Sequence, residues 1–496
     1  MTTAATAAAA APTVAATAAA APRAAVATPF RDLEREHGFE PLRLEGRLPE
    51  ALAGTLYRTG PALFSSFGRR YAHWFDGDGA VSAVRFAGGR ASGAVKLVLS
   101  KALLEERAAQ RALYGGYGSV PPGLRRFFPR VKNAANTAML ALDGRVLALF
   151  EAGLPTEISA DDLSTLGERD LGAIPATFSA HPHAVPARNA IYNFGVRYGR
   201  RCQLDIFAMQ GGTTRLLTTL PIPMTMVHDF VATERHLVFF LPPLRLRALR
   251  LLMGFGSLAQ NLVWRPELGG EVIIVPIDEP TRVTRFAVEP FFTWHFINAH
   301  EAGDQLVVDL VRYPDFASNA WLGTVASAQP HGGSYGTYHR AWVDPARAQV
   351  RFEQRSTLLC EFPRVAPARE GRRAEVAWVA ETSPAAAARS GLPDGLARLE
   401  LEHGRQVSWQ PGGGQLPSEP IFVPRPGASP DSEDDGWVLS LVYDPGSDSS
   451  HVAVLDGRDL AAGPLARVHF DHHIPLTFHG TFVPAQAPGD GPAPRR

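Results

Sequence analysis

Residues 472–481 read HHIPLTFHGT, and the organisation of the rest of the chain follows from this stretch. In it His479 follows an apolar run and precedes Gly480, so a mostly apolar segment presents an imidazole beside a residue that lets another backbone approach closely. A histidine in such a setting is either a hydrogen-bonded residue of the core or a metal ligand.

Three further histidines occur in similar apolar settings. They are His181 in FSAHPHA, His228 in MVHDF and His295 in FFTWHFINAHE. Four imidazoles with apolar neighbours, spread over the chain, indicate one buried metal. Neutral imidazoles without a carboxylate ligand suit Fe, Cu, Ni or Zn better than Mg or Ca.

Three glutamates lie between apolar neighbours in predicted strands. They are Glu151 in LALFEAG, Glu361 in LLCEFPR and Glu419 in PSEPIFVP. A glutamate in such a position is costly unless it is paired, and ligating histidines generally donate their second ring N–H to a carboxylate or a carbonyl. We therefore predict that these glutamates orient the imidazoles. Exposed strand edges explain any one of them equally well.

From about residue 38 onward, short β-branched or alternating segments are bounded by Gly, Asp or Pro, which is typical of strands. No long helical periodicity separates them, so we predict an all-β protein and a closed repeat such as a propeller. The spacings between the four histidines correspond to one or several blades of about 40 to 50 residues. The clearest predicted strands are residues 54–59, 81–86, 94–99, 145–150, 271–277, 305–311, 437–443 and 451–455.

Composition indicates a globular protein with a large core. The chain has 496 residues, 49 basic and 49 acidic side chains, and 45% hydrophobic residues, which gives no electrostatic reason to expect nucleic acid. Cys202 and Cys360 are too few for a disulfide framework, so reducing cytosol is the expected compartment. Nothing in the sequence points to an obligate protein partner.

Three segments depart from the strand pattern. Residues 1–30 are rich in Ala, Thr and Pro, which predicts a disordered tail, with a plastid transit segment as the alternative, and residues 31–496 are predicted to form a single domain. Residues 101–130 begin helical and end aromatic and basic, and residues 241–262 alternate leucines with arginines. Each of these two is either an ordinary insertion that covers the core or a patch for peripheral membrane contact.

The residues singled out above belong to a series of motifs that resembles the carotenoid cleavage oxygenases. These motifs cover nearly everything after about residue 38 and follow the order of that family. They are GTLYRTGP from residue 54, HWFDGDGAV from 73, KNAANT from 132, ALFEAGLP from 148, FSAHPH from 178, MVHDF from 226, WHFINAHE from 294, CEFPR from 360, SEPIFVPRPGA from 418, EDDGWVL from 433 and HHIPLTFHG from 472.

The resemblance implies a seven-bladed β-propeller with a helical and loop cap over an axial iron site. It assigns the four histidines to one Fe²⁺, with O₂ as co-substrate, and the three glutamates to the support of three imidazoles, His181 being the exception. Thr137 matches a β-branched residue whose methyl group crowds one open coordination position. Phe75, Phe150 and Trp294 match or neighbour the aromatic lining of the substrate tunnel.

The implied reaction is cleavage of a conjugated double bond by O₂ to give two carbonyl products. The sequences of the motifs are most similar to those of bacterial apocarotenoid oxygenases that form retinal, so a lipophilic polyene is the expected substrate. Stilbene-cleaving relatives typically have a lysine where this chain has Phe150, and an aromatic ring cannot bind a phenolate by a hydrogen bond. Cleavage of full-length carotenoids, cleavage of stilbenes, and a propeller that binds an apolar ligand without turnover are the alternatives.

Overall fold

Strands account for most of the regular structure of the chain. A computed structural model describes residues 28–127, 130–199, 201–326, 333–429 and 431–485. Its strands form antiparallel sheets that make up seven blades, as the resemblance implies. Blades 5 and 6 share the 17-residue strand Gln349–Val365. Its first part pairs with strand Thr337–Asp344 of blade 5, and its last part is the innermost strand of blade 6.

Within each blade the strands are arranged, from the innermost outward, in the following order. Blade 1 contains Gly480–Pro484, Gly54–Leu63, Asp78–Ala87, Arg90–Leu97 and His37–Pro41. Blade 2 contains Ala138–Leu142, Arg145–Leu149, Thr156–Ile158 and Thr165–Glu168, and blade 3 contains His183–Val185, Ala190–Arg197, Cys202–Gln210 and Thr213–Ile222. Blade 4 contains Val231–Ala232, His236–Leu241, Gly270–Pro276 and Thr284–Val288.

The remaining blades and two small hairpins complete the set of described strands. Blade 5 contains Phe296–Ala302, Gln305–Arg312, Thr337–Asp344 and the start of Gln349–Val365, and blade 6 contains the end of that strand with Val376–Glu381, Gly395–Glu400 and Gln406–Trp409. Blade 7 contains Ile421–Pro424, Leu416–Pro417, Gly436–Asp444, Ser449–Asp456, Pro464–His469 and Arg43–Gly46. The hairpins are Ser65–Ser66 with Arg69–Arg70, and Leu244–Leu246 with Leu262–Trp264.

The two ends of the domain close the ring together. Near the C-terminal end, Gly480–Pro484 pairs with Gly54–Leu63 of blade 1, and near the N-terminal end Arg43–Gly46 pairs with Pro464–His469 of blade 7. Innermost strands of most neighbouring blades contact one another around the axis, including those of blades 7 and 1. Blade 1 is therefore built from both ends of the chain.

Short turns and apolar layers between blades explain why this sequence forms a propeller. Asp143 and Gly144 both have positive φ angles, 49° and 75°, which is the two-residue turn that matches the twist of a hairpin. Between blades, buried side chains from facing sheets interdigitate, and Trp378 of blade 6 stacks on Phe422 of blade 7 with ring centroids 4.2 Å apart. Each blade thus buries both faces against its neighbours.

Helices and loops cover one end of the ring, as the resemblance also implies. The helices are Lys101–Ala109, Ala248–Leu252, Leu258–Asn261, Ala317–Ala326 and Pro384–Arg389. Short 3₁₀ turns occur at both ends of the ring, at Thr28–Phe30, Trp74–Asp76, Gly123–Phe127, Pro186–Arg188, Pro266–Leu268, Pro367–Arg369 and Leu460–Ala462. Helix Lys101–Ala109 is anchored by Glu106, whose carboxylate lies 2.7 Å from Nζ of buried Lys132, which also contacts Asp78. Within the part of the chain that the structure describes, no helix is long and apolar enough to cross a membrane.

The beginning of the domain lies slightly before the predicted boundary. Of the predicted tail, residues 1–27 lie outside the described residues. Phe30 is fully buried, and its ring meets those of Phe64 and Trp74 at centroid distances of 6.0 and 5.1 Å. Residues 28–30 therefore belong to the folded domain rather than to the tail, because their aromatic side chain completes a core cluster.

Candidate metal centre

The four predicted histidines lie at equivalent places in four blades. His295 and His479 directly precede the innermost strands of blades 5 and 1, and His181 and His228 lie two and three residues before those of blades 3 and 4. Each histidine thus lies where the chain enters the innermost strand of its blade, close to the axis of the ring. All four are buried.

The structure brings the four imidazoles together on the axis. The ring centroid of His181 lies 4.4 Å from that of His228, 5.0 Å from that of His295 and 4.8 Å from that of His479. Nε2 of His295 lies 3.1 Å from Nε2 of His479. Ligand nitrogens of His181, His295 and His479 all lie within 4.8 Å of one another, and His228 joins this group through its neighbour His181.

Each of the three predicted glutamates contacts one imidazole on its other nitrogen. Glu419 accepts from Nδ1 of His479 at 2.8 Å and Glu361 from Nδ1 of His295 at 2.5 Å. Glu151 contacts Nδ1 of His228 at ion-pairing distance, although the two do not form a hydrogen bond of good geometry. A carboxylate on Nδ1 holds the proton there and leaves Nε2 with its lone pair, which is the form in which histidine binds a metal.

This arrangement fits a metal ion. Two lone-pair nitrogens 3.1 Å apart repel each other unless a proton or a metal cation lies between them, and two adjacent nitrogen ligands on a metal with bonds of about 2.1 Å are about 3 Å apart. Nε2 of His181 is buried and has no hydrogen-bond partner among the described residues, which is costly for an imidazole that binds nothing. Four imidazole nitrogens are a ligand set for Fe, Cu, Ni or Zn.

Burial and neighbouring charges act differently on the imidazoles of the centre. At His295 burial lowers the pKa, but Glu361 outweighs this effect, so that the pKa lies above its ordinary value. Burial, followed by the three neighbouring imidazoles, holds the pKa of His181 well below its usual range. Burial likewise lowers the pKa of His479 to about 4, although Glu419 opposes the shift. Burial disfavours ionisation of Glu419 itself, but Arg364, His479 and Arg58 outweigh it, so that the pKa of this carboxyl lies below its ordinary value.

A cavity of about 440 Å³ opens onto the imidazoles. His228, His295 and His479 form part of its wall, whereas His181 is not among the described residues that line it. The walls are mainly apolar, and the predicted tunnel residues all lie in them: Phe75, Phe150, Trp294 and Thr137. Such a cavity, with few polar groups close to a metal site, is typical of a site for an apolar ligand.

The aromatic walls are themselves held in place by packing. The ring of Trp294 meets that of His228 edge-on at 4.8 Å, and its Nε1 donates to Oγ of Ser318 at 2.9 Å. Phe75 packs against Trp294 at 5.7 Å. The hydroxyl of Thr137 donates to the amide oxygen of Asn136 at 3.0 Å, so it is occupied within its own segment.

Several supporting residues were not predicted from the sequence. Tyr313 donates its hydroxyl to Glu361 at 2.7 Å, and Arg364 donates to Glu419 at 2.8 Å. Arg58 contacts the other oxygen of Glu419, and Asp229 joins segments that carry the buried imidazoles. Arg58 and Asp229 lie in the quoted motifs GTLYRTGP and MVHDF, where a charge among apolar residues was the available signal.

Taken together, the propeller, the axial imidazoles and the apolar cavity beside them form a candidate metal site with room for an apolar ligand. A family model described as retinal pigment epithelial membrane protein matches residues 30–484. The apocarotenoid-15,15'-oxygenase of Synechocystis sp. is 32% identical over 459 residues, 89% of this chain and 92% of that protein. The resveratrol cleavage oxygenase 1 of Aspergillus fumigatus is 28% identical over 92% of this chain and 96% of its own.

Solved structures agree with these sequence comparisons. The crystal structure of cobalt-substituted Synechocystis ACO superimposes with a TM-score of 0.85 at 29% sequence identity, over 94% of this chain and 99% of that chain. The chain belongs to the carotenoid cleavage oxygenase family, whose model spans almost all of its described residues.

Proposed function

We propose that the protein is a non-haem Fe²⁺ dioxygenase that cleaves a conjugated C=C bond of an apocarotenoid to give two carbonyl products, one of them retinal. The observation that carries this proposal is the grouping of four buried imidazoles beside an apolar, aromatic-lined cavity, with three of them in its wall. In the overall reaction both atoms of O₂ are inserted across one double bond, and each carbon of that bond becomes a carbonyl carbon.

His181, His228, His295 and His479 would hold the iron, which when bound supplies the binding and activation of O₂. The chain's own residues bind and orient the polyene: Phe75, Phe150 and Trp294 offer flat apolar faces, and the walls exclude water from the reacting bond. The hydroxyl of Thr137 is held by Asn136, which leaves its methyl group to narrow the space beside the imidazoles.

The wall of the cavity supports a polyene over a phenolic substrate. Phe150 is a buried residue of this wall and is followed directly by Glu151, so the position next to the glutamate offers no donor to a phenolate. The relative from Synechocystis is named for an apocarotenoid and the one from Aspergillus for resveratrol. The name and the higher identity of the first support our choice, with full-length carotenoids and stilbenes as the alternatives.

We also propose that the two insertions dock on a lipid surface, from which a lipophilic substrate enters. Side chains of both insertions line the outer part of the cavity, among them Arg126 and Leu251. A Cβ atom on Gly254 would lie 3.1 Å from the ring of Phe127, so the insertions contact each other. Leu124 is 81% exposed and Leu249 is 70% exposed. Apolar side chains with arginines between them suit the headgroup layer of a membrane.

The proposed reaction is tested by product analysis. The protein is loaded anaerobically with Fe²⁺, mixed with a long apocarotenal and, separately, with resveratrol, and exposed to air before liquid chromatography and mass spectrometry. We expect retinal and a short dialdehyde from the apocarotenal. The variant His228→Ala should lose both bound iron and product, whereas His300→Ala, a histidine of blade 5 outside the centre, should retain both.

Each other outcome identifies a different function. Phenolic aldehydes from resveratrol would replace the polyene assignment by stilbene cleavage. A folded protein that binds no iron, and in which His228→Ala changes no activity, would contradict the oxygenase proposal and favour a propeller that binds an apolar ligand.

A further inference from the structure

Asp229 is a buried carboxylate that connects three of the segments carrying imidazoles. It follows His228 directly, and its Oδ2 accepts from the backbone N–H of Phe296, the residue after His295, at 2.9 Å. Its Oδ1 lies 3.0 Å from Nε2 of His183, two residues after His181, and also accepts from the N–H of Phe230 at 2.8 Å. One side chain thus touches blades 3, 4 and 5.

The contacts of Asp229 differ in kind from those of the three glutamates. Each glutamate contacts the ring of one candidate ligand, whereas Asp229 contacts the backbone and the side chain that flank ligands. Asp229 is not among the described residues that line the cavity. It therefore acts on the positions of whole segments and touches neither the substrate space nor the point on which the imidazoles converge.

Its contact with His183 fills a gap in the support of the centre. The glutamates contact His228, His295 and His479, and none of them contacts His181. The strand that follows His181 begins at His183, whose ring also packs edge-on against Phe230 at 4.9 Å. Through His183, Asp229 is the carboxylate that ties the His181 segment to its neighbours.

We propose that Asp229 is a positioning residue that fixes the spacing of His181, His228 and His295 and thereby sets the affinity and geometry of the metal centre. This inference rests on the metal site of the proposed function and not on its substrate. The carboxylate is required because three donors point at its two oxygens. An asparagine has one acceptor oxygen, and its NH₂ group would meet a donor.

The test compares Asp229→Asn with a matched control, Asp309→Asn. Asp309 is equally buried and also accepts three hydrogen bonds, but from Tyr338 and Arg340, which lie outside the ligand segments. Co²⁺ is titrated into the metal-free protein, and both the affinity and the visible absorption spectrum are recorded. We expect Asp229→Asn to bind Co²⁺ about 10 to 100 times more weakly with an altered spectrum.

The control and a second variant keep the outcome decisive. Asp309→Asn should destabilise the fold but leave the Co²⁺ affinity and spectrum as in the wild type. His183→Gln removes the partner without touching the carboxylate, and we expect a smaller loss of affinity together with a spectral change. In the iron-loaded enzyme, Asp229→Asn should lower kcat and leave KM for the polyene unchanged, because the cavity wall is intact.

Wild-type affinity and spectrum in Asp229→Asn would overturn the inference. If that variant does not fold, His183→Gln decides, and a wild-type spectrum there has the same meaning. A wild-type protein that binds Co²⁺ at the four histidines but converts no polyene would contradict the proposed substrate and leave the role of Asp229 intact.

Discussion

Replacing each glutamate of the centre by glutamine should separate metal binding from folding, because the three glutamates differ in what else they hold. Glu419 accepts from His479 at 2.8 Å, from Arg364 at 2.8 Å and from the backbone N–H of Gly480 at 2.8 Å, and it pairs with Arg58 at 3.4 Å. Its side chain and that of Arg58 are each 1% exposed. Glu419→Gln therefore leaves a buried guanidinium without its counter-charge.

The size of the effect follows from that unpaired charge. Breaking a buried ion pair by removal of one partner costs about 3–5 kcal/mol. At about 2.1 cal/mol/K per residue, the 496-residue chain has an unfolding entropy of roughly 1 kcal/mol/K, so the Tm of the metal-free Glu419→Gln variant should fall by about 3–5 °C.

The other two glutamates should cost less. Glu361 contacts His295, the hydroxyl of Tyr313 and the N–H of Phe362, but no arginine among the described residues. Its replacement therefore leaves unsatisfied donors worth about 1–3 kcal/mol. The Glu151 side chain is 28% exposed and faces the cavity, where water can replace its contact with the imidazole. We expect Glu151→Gln to change the stability by less than about 1 kcal/mol.

Metal affinity should not follow the same order. Loss of a carboxylate behind a ligand typically costs about 10 to 100-fold in metal affinity, and each glutamate stands behind one imidazole. Thermal unfolding of the metal-free variants and Co²⁺ titration of the same samples measure the two quantities. Equal losses of stability in all three variants, or the largest loss in Glu151→Gln, would refute the reasoning.

Three further predictions concern parts of the molecule away from the centre. His451 is buried, and burial and then neighbouring cations lower its pKa to about 4, so the unfolded chain binds this proton at a higher pH than the folded chain does. The free energy of unfolding should therefore fall by roughly 3 kcal/mol as the pH drops from about 6.5 to 4, and urea unfolding at several pH values should show a weaker pH dependence for His451→Gln. Lys132→Met leaves two buried carboxylates without their cation and should cost about 3–5 kcal/mol in the same assay. Replacing Leu249 and Leu252 by Glu should abolish co-sedimentation with phospholipid vesicles, whereas Leu216→Glu, an exposed leucine of blade 3, should not; vesicle binding unchanged in the double variant would contradict the docking proposal.

The sequence predicted the elements of the fold and the candidate site better than the connections between them. All eight predicted strand segments overlap observed strands, because alternation and turn residues are local properties, and three of them (94–99, 145–150 and 271–277) run one or two residues past the end of the strand. The four histidines were identified because an imidazole among apolar residues is conspicuous in a single segment. The contacts of Asp229, Tyr313 and Arg364 were missed, because they join segments whose distance in space depends on how the blades follow one another around the axis.

The order of the blades explains which glutamate supports which imidazole. Each blade supplies one residue of the centre: His479, Glu151, His181, His228, His295, Glu361 and Glu419 for blades 1 to 7. Glu361 and Glu419 support histidines of adjacent blades, since closure of the ring places blade 7 beside blade 1.

Glu151 is the exception, because it lies in blade 2 and contacts His228 of blade 4, which is not the adjacent blade. Its side chain therefore extends past blade 3. That path crosses the cavity, which accounts for the partial exposure of its side chain. An apolar ligand in the cavity would remove water from the Glu151 carboxylate and strengthen its contact with the imidazole of His228. Glu419 is already buried away from water, so the same ligand would change its contact less. His228 is therefore the imidazole that should respond most to what the cavity contains.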